Sequence, residues 1–195
     1  RDTALLDDLY GLVTLSWSQI RQRHFAGASA STVSNRLSKL GKEGYIQKLR
    51  VGVVLYRDGP HEVGRVFQVT RKAIRHLQGL FPERRFREEA PRIHGSTLAH
   101  DLLLVEVMAA LRKRNPKARL THGKLNGAKA SGQARQPDAV METASSAARV
   151  AIELELTAKS EKRYREIVLQ YQLAPQYSQV LYVVGSQSIA EKIKT

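Results

Sequence analysis

Apolar positions recur with a helical period over most of the first 80 residues. They lie three or four residues apart in three segments and predict helices over residues 5–13, 17–25 and 31–46. Ser16 is a candidate N-cap for the second helix, and Gly44 fits the C-terminal cap of the third. Residues 49–70 hold two β-rich runs around RDGPHEVG and predict a hairpin. Thr70 begins a fourth predicted helix, so the first half reads as helices followed by a two-stranded hairpin.

The second half changes to a mixed α/β pattern. A long helix is predicted over 96–116, with Ser96 as N-cap and Asn115-Pro116 as the stop. A Gly-containing basic loop at 126–135 and a turn at 143–148 separate the predicted strands. The further elements are strands at 118–125, 137–143, 149–157 and 179–186, and helices at 160–174 and 186–194. The strand at 179–186 is apolar throughout, which predicts an interior position in a mixed sheet covered by helices.

The net charge narrows the range of partners to be expected. The 195 residues carry a formal net charge of +14, which favours a polyanionic partner, usually nucleic acid. Hydrophobic residues make up 42%, enough for a packed core. No apolar run approaches the ~20 residues that cross a bilayer, and the first residues, RDTALLDD, lack a signal-peptide layout. Cys is absent. We therefore expect a cytoplasmic protein that binds double-stranded DNA, without disulfides or thiolate zinc sites.

The first half resembles a winged helix-turn-helix domain. The resemblance rests on the element order and on the phrase TVSNRLSKLGKEGYI, which is similar to the recognition helix and exit of such domains. It implies that short polar side chains of this helix reach base edges and that basic ones reach phosphates. The candidate DNA-binding residues of the helix are Ser31, Thr32, Ser34, Asn35, Arg36, Ser38, Lys39 and Lys42. Those of the hairpin are Arg50, Arg57, His61 and Arg65. A winged helix that contacts protein instead, with a merely solvated basic face, is the alternative.

Three carboxylates stand out in the second half. In RVAIELELT, Val150, Ile152 and Leu154 point one way, and Glu153 and Glu155 the other. Asp138 follows a proline one strand earlier. Carboxylates at i and i+2 of a strand, met by a third from its neighbour, could bind Mg²⁺ or Mn²⁺, which would activate a water for attack on a phosphate. The alternative is the polar face of a half-exposed strand.

These residues resemble the core of PD-(D/E)xK restriction-endonuclease-like nucleases. Pro137-Asp138 would be the PD and Glu153-Leu154-Glu155 the (D/E)xK, with Glu155 where lysine is usual. The resemblance implies that Asp138, Glu153 and Glu155 are metal ligands and catalytic residues. It also implies that Lys159 or Lys162 supplies the missing positive charge. The glutamate in place of lysine fits a degenerate, inactive site equally well.

Together the two halves resemble the replication-relaxation family, plasmid proteins that include the MobC-type mobilisation relaxases. The resemblance implies an α+β protein with three parts: a winged helix (1–81), a linker (82–94) with Pro82 and Pro91, and a nuclease-like domain (95–195). It implies recognition of a plasmid origin, followed by metal-dependent nicking or relaxation. His100 and Asp101 match a conspicuous pair in the joining helix, and packing of a polar pair against the strands explains them equally well.

Other functions remain open, and some are excluded. A non-catalytic replication or transfer accessory factor or regulator is the main rival, and a second domain that docks a partner protein is the third reading. A homodimer is one arrangement that would raise DNA affinity. The six histidines never fall two apart, so two-histidine relaxase chemistry is not expected. No GxxxxGK[ST] loop is present, which argues against an NTPase.

Overall fold

The computed structural model of the protein describes residues 2–49, 53–56, 59–62, 64–126, 135–143 and 148–194, without the side chains of the two short strands 53–56 and 59–62. The chain divides into two compact units, Arg1–Leu102 (unit 1) and Leu103–Thr195 (unit 2). The α+β class is confirmed. The domain boundaries expected at residues 82–94 stay a prediction.

Unit 1 combines four helices with short antiparallel strands. Its helices are α1 (Asp2–Gly11), α2 (Trp17–His24), α3 (Ala30–Lys42) and α4 (Arg71–Leu80). Its strands are β1 (Leu15–Ser16), β2 (Ile46–Leu49), β3 (Val53–Tyr56), β4 (Gly59–Glu62) and β5 (Val66–Val69). They form a three-stranded sheet of order β1-β5-β2 and a separate β3-β4 pair. The predicted two-stranded hairpin is thus two successive strand pairs, since β2 pairs with β5 and β3 with β4.

Local capping explains where the helices of unit 1 begin and end. Ser16 caps α2 as predicted: its hydroxyl accepts a hydrogen bond from the Gln19 N–H at 3.2 Å, and the Gln19 side chain accepts one from the Ser16 N–H at 3.0 Å. Thr70 caps α4 through its hydroxyl alone, which accepts a hydrogen bond from the Ala73 N–H at 3.4 Å. Gly44 follows α3 with a φ of +75°, a left-handed conformation that glycine adopts without strain. These three expectations are confirmed.

The core of unit 1 lies between its helices and the β1-β5-β2 sheet. Its buried side chains include Leu5, Leu9, Ile20, Val33, Leu37, Val69, Ile74 and Leu77. The segment expected to be a linker is held against this unit. Arg84 pairs with Asp7 at 2.8 Å, and Gln68 donates to the Pro91 carbonyl at 2.6 Å. Ile93 packs against the small cluster of Val66, Leu98 and Leu102.

Unit 2 is a four-stranded mixed sheet with helices. The long helix α5 (Leu98–Arg114) contains the division between the units, after a single 3₁₀ turn at Gly95–Thr97. The other elements are β6 (Arg119–His122), a 3₁₀ turn (Gly123–Leu125), β7 (Ala139–Glu142), β8 (Arg149–Glu155), α6 (Glu161–Gln172), β9 (Gln179–Val184) and α7 (Gln187–Lys194). The strand order is β6-β7-β8-β9, antiparallel except for the parallel β8–β9 pair. Within the described residues, no helix is long and apolar enough to cross a membrane.

Two expectations for the second half were wrong. Ser96 lies inside the 3₁₀ turn and does not cap α5, which begins at Leu98. The apolar strand β9 is the last in the sheet order rather than an interior strand, and Leu181 is 37% exposed. An apolar run shows that both faces of a strand can be covered, but it carries no information about which strands lie beside it. The helix stop at Asn115-Pro116 is confirmed, since α5 ends at Arg114.

Candidate functional site

The outward face of α3 is polar and basic. Thr32, Asn35, Lys39 and Lys42 are exposed and follow each other at helical spacing, whereas Val33, Leu37 and Leu40 are buried on the opposite side. Ser31 and Ser38 are also exposed, and Ser34 is half-buried. The face is flanked at its start by Ser29, whose hydroxyl caps the helix through the Thr32 N–H. The sequence-predicted residues of this helix therefore lie together at the surface, except for Ser34 and Arg36.

Arg36 is engaged within the protein. Its Nε donates to Oδ1 of Asp2 at 2.7 Å, and its Nη2 forms a second contact with the same carboxylate. The two side chains remain about one third exposed, at 37% and 28%. A phosphate would therefore have to compete with the Asp2 carboxylate for Arg36. Lys39 also has a carboxylate nearby, but its ion pair with Glu43 is longer, at 3.8 Å, and more exposed.

A second basic position lies beside α3. Arg65, exposed just before β5, and Lys48, exposed on β2, line one hollow together with Ser34 and Ser38. Sequence reasoning missed Lys48, and the period of β2 gave no signal for it, because Lys48 shares a strand face with buried Ile46. Arg50 and Arg57 lie outside the described residues, as does the side chain of His61.

In unit 2, the carboxylates of β8 are buried and not exposed to solvent. Glu153 and Glu155 are each 5% exposed, which excludes the reading of a half-exposed polar strand face. The strand alternates as predicted, so these two side chains share the face of Ala151, which α6 covers through Tyr164, Ile167 and Tyr171. Parallel pairing places Tyr182 of β9 beside Glu153. Burial of two carboxylates requires partners that balance their charge.

Arg135 and Tyr171 bind Glu153. The guanidinium contacts the carboxylate twice, Nε to Oε1 at 2.7 Å and Nη2 to Oε2 at 3.0 Å, while the Tyr171 hydroxyl donates to Oε1. Arg135 also lies 5.9 Å from the centroid of the Tyr171 ring. The side chains of Arg135 and Glu153 are 18% and 7% exposed, so the pair is largely shielded from water.

The other two carboxylates have different partners. Lys159 forms an ion pair with Oε2 of Glu155, so its ammonium group has a carboxylate as partner. Asp138 does not lie in a strand, because β7 begins at Ala139; its Oδ2 accepts a hydrogen bond from the Leu154 N–H at 2.8 Å. Lys162 is exposed on α6.

Burial and the charge of Glu153 shift the pKa values of the side chains around it. Burial alone would lower the pKa of Arg135, but its hydrogen bonds to Glu153 and the charge of that carboxylate raise the pKa above its ordinary value. Burial raises the pKa of Tyr171, and the charge of Glu153 and the hydrogen bond to it raise it further. Burial and the same charge raise the pKa of Tyr182 to about 12. Both tyrosines are therefore neutral, and Tyr171 acts as a hydrogen-bond donor.

The three carboxylates do not fit a divalent metal ion as they are arranged. Among the described residues, no three His, Cys, Asp or Glu side chains are grouped so that they could hold one. Glu153 faces a guanidinium and Glu155 an ammonium, whereas Mg²⁺ and Mn²⁺ require several oxygen ligands directed at one point. His100 and Asp101, in the first turns of α5, approach each other to 4.0 Å, with Asp101 buried.

The comparison with protein families decides the relationship. A profile of the replication-relaxation family matches residues 6–180, which cover most of both units. The chain belongs to the replication-relaxation family. The family prediction is thereby confirmed, and membership of this family suggests a role in plasmid or mobile-element replication or relaxation. No curated protein and no solved structure matches the chain.

Within this replication-relaxation protein, sequence reasoning missed the two partners of Glu153. Arg135 belongs to the loop that the sequence marks as basic, and it lies 18 residues from Glu153 along the chain. Tyr171 lies on α6, is 8% exposed and donates to Glu153. The available signal was physical, since two glutamates on a covered strand face need cationic partners.

Proposed function

We propose that this protein binds duplex DNA through unit 1, with α3 as the element that enters the major groove, and that it serves plasmid or mobile-element replication or relaxation as a DNA-binding factor. The observation that carries the proposal is the exposed face of α3, where Thr32, Asn35, Lys39 and Lys42 follow one another on one side of the helix. The proposal also includes the winged-helix arrangement of unit 1.

The dimensions and chemistry of α3 support this role. An α-helix is about 10–12 Å across with its side chains, which fits a major groove about 12 Å wide, and the 13 residues of α3 give a length of about 20 Å along the groove. Asn35 and Thr32 can donate to and accept from base edges, and an asparagine can bind adenine with two hydrogen bonds. Lys39 and Lys42, nearer the C-terminal end, are placed to meet phosphates. Lys48 and Arg65 extend the basic surface beside the helix.

An accessory role without cleavage agrees best with unit 2. A metal-dependent nick would need Asp138, Glu153 and Glu155 to converge on an ion, and two of these carboxylates are bound by basic side chains instead. Nicking therefore stays a prediction from the family resemblance, and the arrangement of unit 2 does not favour it. Incubation of supercoiled plasmid with Mg²⁺, Mn²⁺ or EDTA tests it: open circles formed by the wild type and not by Glu153→Ala would establish a nuclease.

DNA binding is tested by measuring affinity against salt. A duplex is first enriched from a random-sequence library, and its binding is followed by fluorescence anisotropy between 50 and 200 mM salt. Lys39→Ala is expected to weaken binding and to reduce the slope of log K against log salt by about 0.9, the value for one lost phosphate contact. Asn35→Ala is expected to reduce the preference for the enriched sequence.

The matched control is Arg75→Ala. Arg75 is exposed on α4, so this variant loses the same net charge as Lys39→Ala from the same unit. We expect its slope to stay close to that of the wild type. Equal losses in the two variants would show that DNA responds to net charge alone, and the assignment of α3 as the binding element would be wrong.

A further inference from the structure

Positive charge is concentrated in one stretch of unit 2. Residues 107–137 hold eight of the 32 Lys and Arg residues and none of the 18 Asp and Glu residues, so they carry more than half of the net charge of +14. We infer that residues 112–119, the α5–β6 corner, form a second DNA contact, made to the phosphate backbone of a duplex without base readout. The corner shares its polyanionic partner with the proposed function, but it lies in unit 2 and is a surface separate from α3.

The backbone of the corner is a helix end followed by a tight turn. α5 ends at Arg114, and the N–H and the side-chain amide of Asn115 both donate to the Leu111 carbonyl, at 2.9 and 3.2 Å. The Ala118 N–H then donates to the Asn115 carbonyl at 3.0 Å, which closes a turn that contains Pro116, whose ring fixes its φ. These bonds hold the basic side chains before and after the turn on one fixed segment of backbone.

The cations of the corner are available to a phosphate. Glu142 lies opposite Arg119 in the register of β6 and β7, but its carboxylate pairs with Arg149 at 3.3 Å. Four basic side chains of the corner are exposed and form no ion pair within the described residues: Lys113, Arg114, Lys117 and Arg119.

The helix α6 shows the opposite pattern. Arg163 pairs with Glu166 at 2.9 Å and Arg165 with Glu161 at 2.5 Å, so acidic neighbours on the same helix balance these two cations. A phosphate that approached them would have to compete with a carboxylate, which is not the case for the four cations of the corner.

The chemistry of the corner favours nucleic acid over a membrane or a protein groove. Membrane-binding helices need apolar side chains beside their cations, and protein interfaces are centred on buried apolar or aromatic anchors. Cations alone are sufficient for a duplex, because they release its condensed counterions. In the described part of unit 2, the exposed large apolar side chains lie away from the corner, on or just after α6 and on β9: Val168, Leu169, Leu173 and Leu181.

Stabilisation of α5 explains only part of this cluster. Lys113 and Arg114 lie in the last turn, where cations interact favourably with the negative end of the helix dipole. Lys117 and Arg119 come after the end of the helix, and the effect of the dipole is confined to its last turn. A purely stabilising role would lower the melting temperature of a variant without changing its affinity for DNA.

DNA binding by the full chain tests the assignment. The corner variant combines Lys113→Gln, Arg114→Gln and Lys117→Gln. Fluorescence anisotropy between 50 and 200 mM salt gives its affinity for the enriched duplex and for a scrambled one, and circular dichroism melting shows whether it folds. The matched control removes the same charge from the same unit, because it replaces three exposed lysines of α6 and α7 by glutamine: Lys162, Lys192 and Lys194.

The corner variant is expected to reduce the slope of log K against log salt by about 0.9–2.7, the value for one to three lost phosphate contacts. It should weaken binding to both duplexes by the same factor, since phosphates carry no sequence. The control is expected to lose less than half as much slope. Lys117→Gln alone, outside the helix, should reduce the slope by about 0.9 and serves if the triple variant does not fold.

The results for α3 and for the corner are separable. Lys39→Ala reports on α3 alone, and its loss of slope should add to that of the corner variant when the changes are combined. The assignment is overturned by an unchanged slope in Lys117→Gln and in a folded corner variant, or by equal losses in the corner variant and its control. Reduced sedimentation with phosphatidylserine vesicles, with DNA binding unchanged, would assign the corner to a membrane surface instead.

Discussion

Replacement of Gly123 by alanine is expected to destabilise unit 2 strongly. Gly123 follows β6 and is buried, and its N–H donates to the Asp138 carbonyl at 2.7 Å. A Cβ atom at this position would lie 2.0 Å from the Pro137 carbonyl oxygen and 2.9 Å from that of Asp138. Both atoms belong to the backbone, so no side-chain rotation can relieve the clash. The two segments must move apart by more than an ångström.

The magnitude follows from what this movement breaks. Separation of the segments stretches the Gly123–Asp138 hydrogen bond and displaces Asp138, whose carboxylate accepts from the Leu154 N–H at 2.8 Å. Each lost hydrogen bond costs about 1 kcal/mol, and overpacking of a tight contact costs roughly 1–3 kcal/mol more. The free energy of unfolding should therefore fall by about 3–5 kcal/mol, which lowers the melting temperature of a unit of this size by at least ~10 °C.

Thermal and urea unfolding, followed by far-ultraviolet circular dichroism, measure this loss. Gly185→Ala in the same unit is the matched control, because its Cβ would meet ordinary contacts, the nearest at 3.7 Å. We expect the control to stay within about 1 kcal/mol of the wild type. Wild-type stability of Gly123→Ala would refute the close approach of the turn after β6 to the start of β7, and with it the described position of Asp138.

Two further predictions concern unit 1. Burial would raise the pKa of Asp8, but the hydrogen bond with His24 and the charge and hydrogen bond of Arg23 hold it below its ordinary value of 3.8. The stabilisation by ionised Asp8 is therefore present above pH 3.8 and is lost as the pH falls through the lowered pKa. Asp8→Asn should narrow the difference in the free energy of unfolding between pH 6 and pH 3. An unchanged difference would contradict this reasoning. Asp2→Asn should raise DNA affinity about two- to fivefold by releasing Arg36 to a phosphate, as measured by anisotropy; a weaker complex would show that Asp2 instead orients Arg36 for binding.

Local chemistry made much of the fold predictable. The beginnings of α2 and α4 and the end of α3 follow from Ser16, Thr70 and Gly44, each of which acts on backbone groups within a few residues. The alternation in β8 correctly separated the two glutamates from Val150, Ile152 and Leu154 because a strand has a period of two. Such patterns depend on the chain's own neighbours and not on the rest of the fold.

Relations between distant segments were harder to predict. The partner of Glu153 comes from a residue 18 positions earlier, and nothing in the local pattern distinguishes Arg135 from the other basic residues nearby. The place of β9 at the end of the sheet is set by strand order, which the composition of the strand does not encode. The family resemblance predicted a set of metal ligands from the spacing of three carboxylates. In the structure, Glu153 pairs with Arg135 and Glu155 with Lys159 instead.

The position of β9 also bears on how the protein behaves at high concentration. This terminal strand, QVLYVV, contains neither a charged residue nor a proline, the usual devices that discourage the addition of another strand to a sheet edge. Electrostatic repulsion between copies, each with a net charge of +14, must then oppose this association. The range of that repulsion shrinks from about 10 Å at 0.1 M salt to about 3 Å at 1 M. A salt concentration high enough to dissociate the protein from nucleic acid during purification would therefore also favour its precipitation.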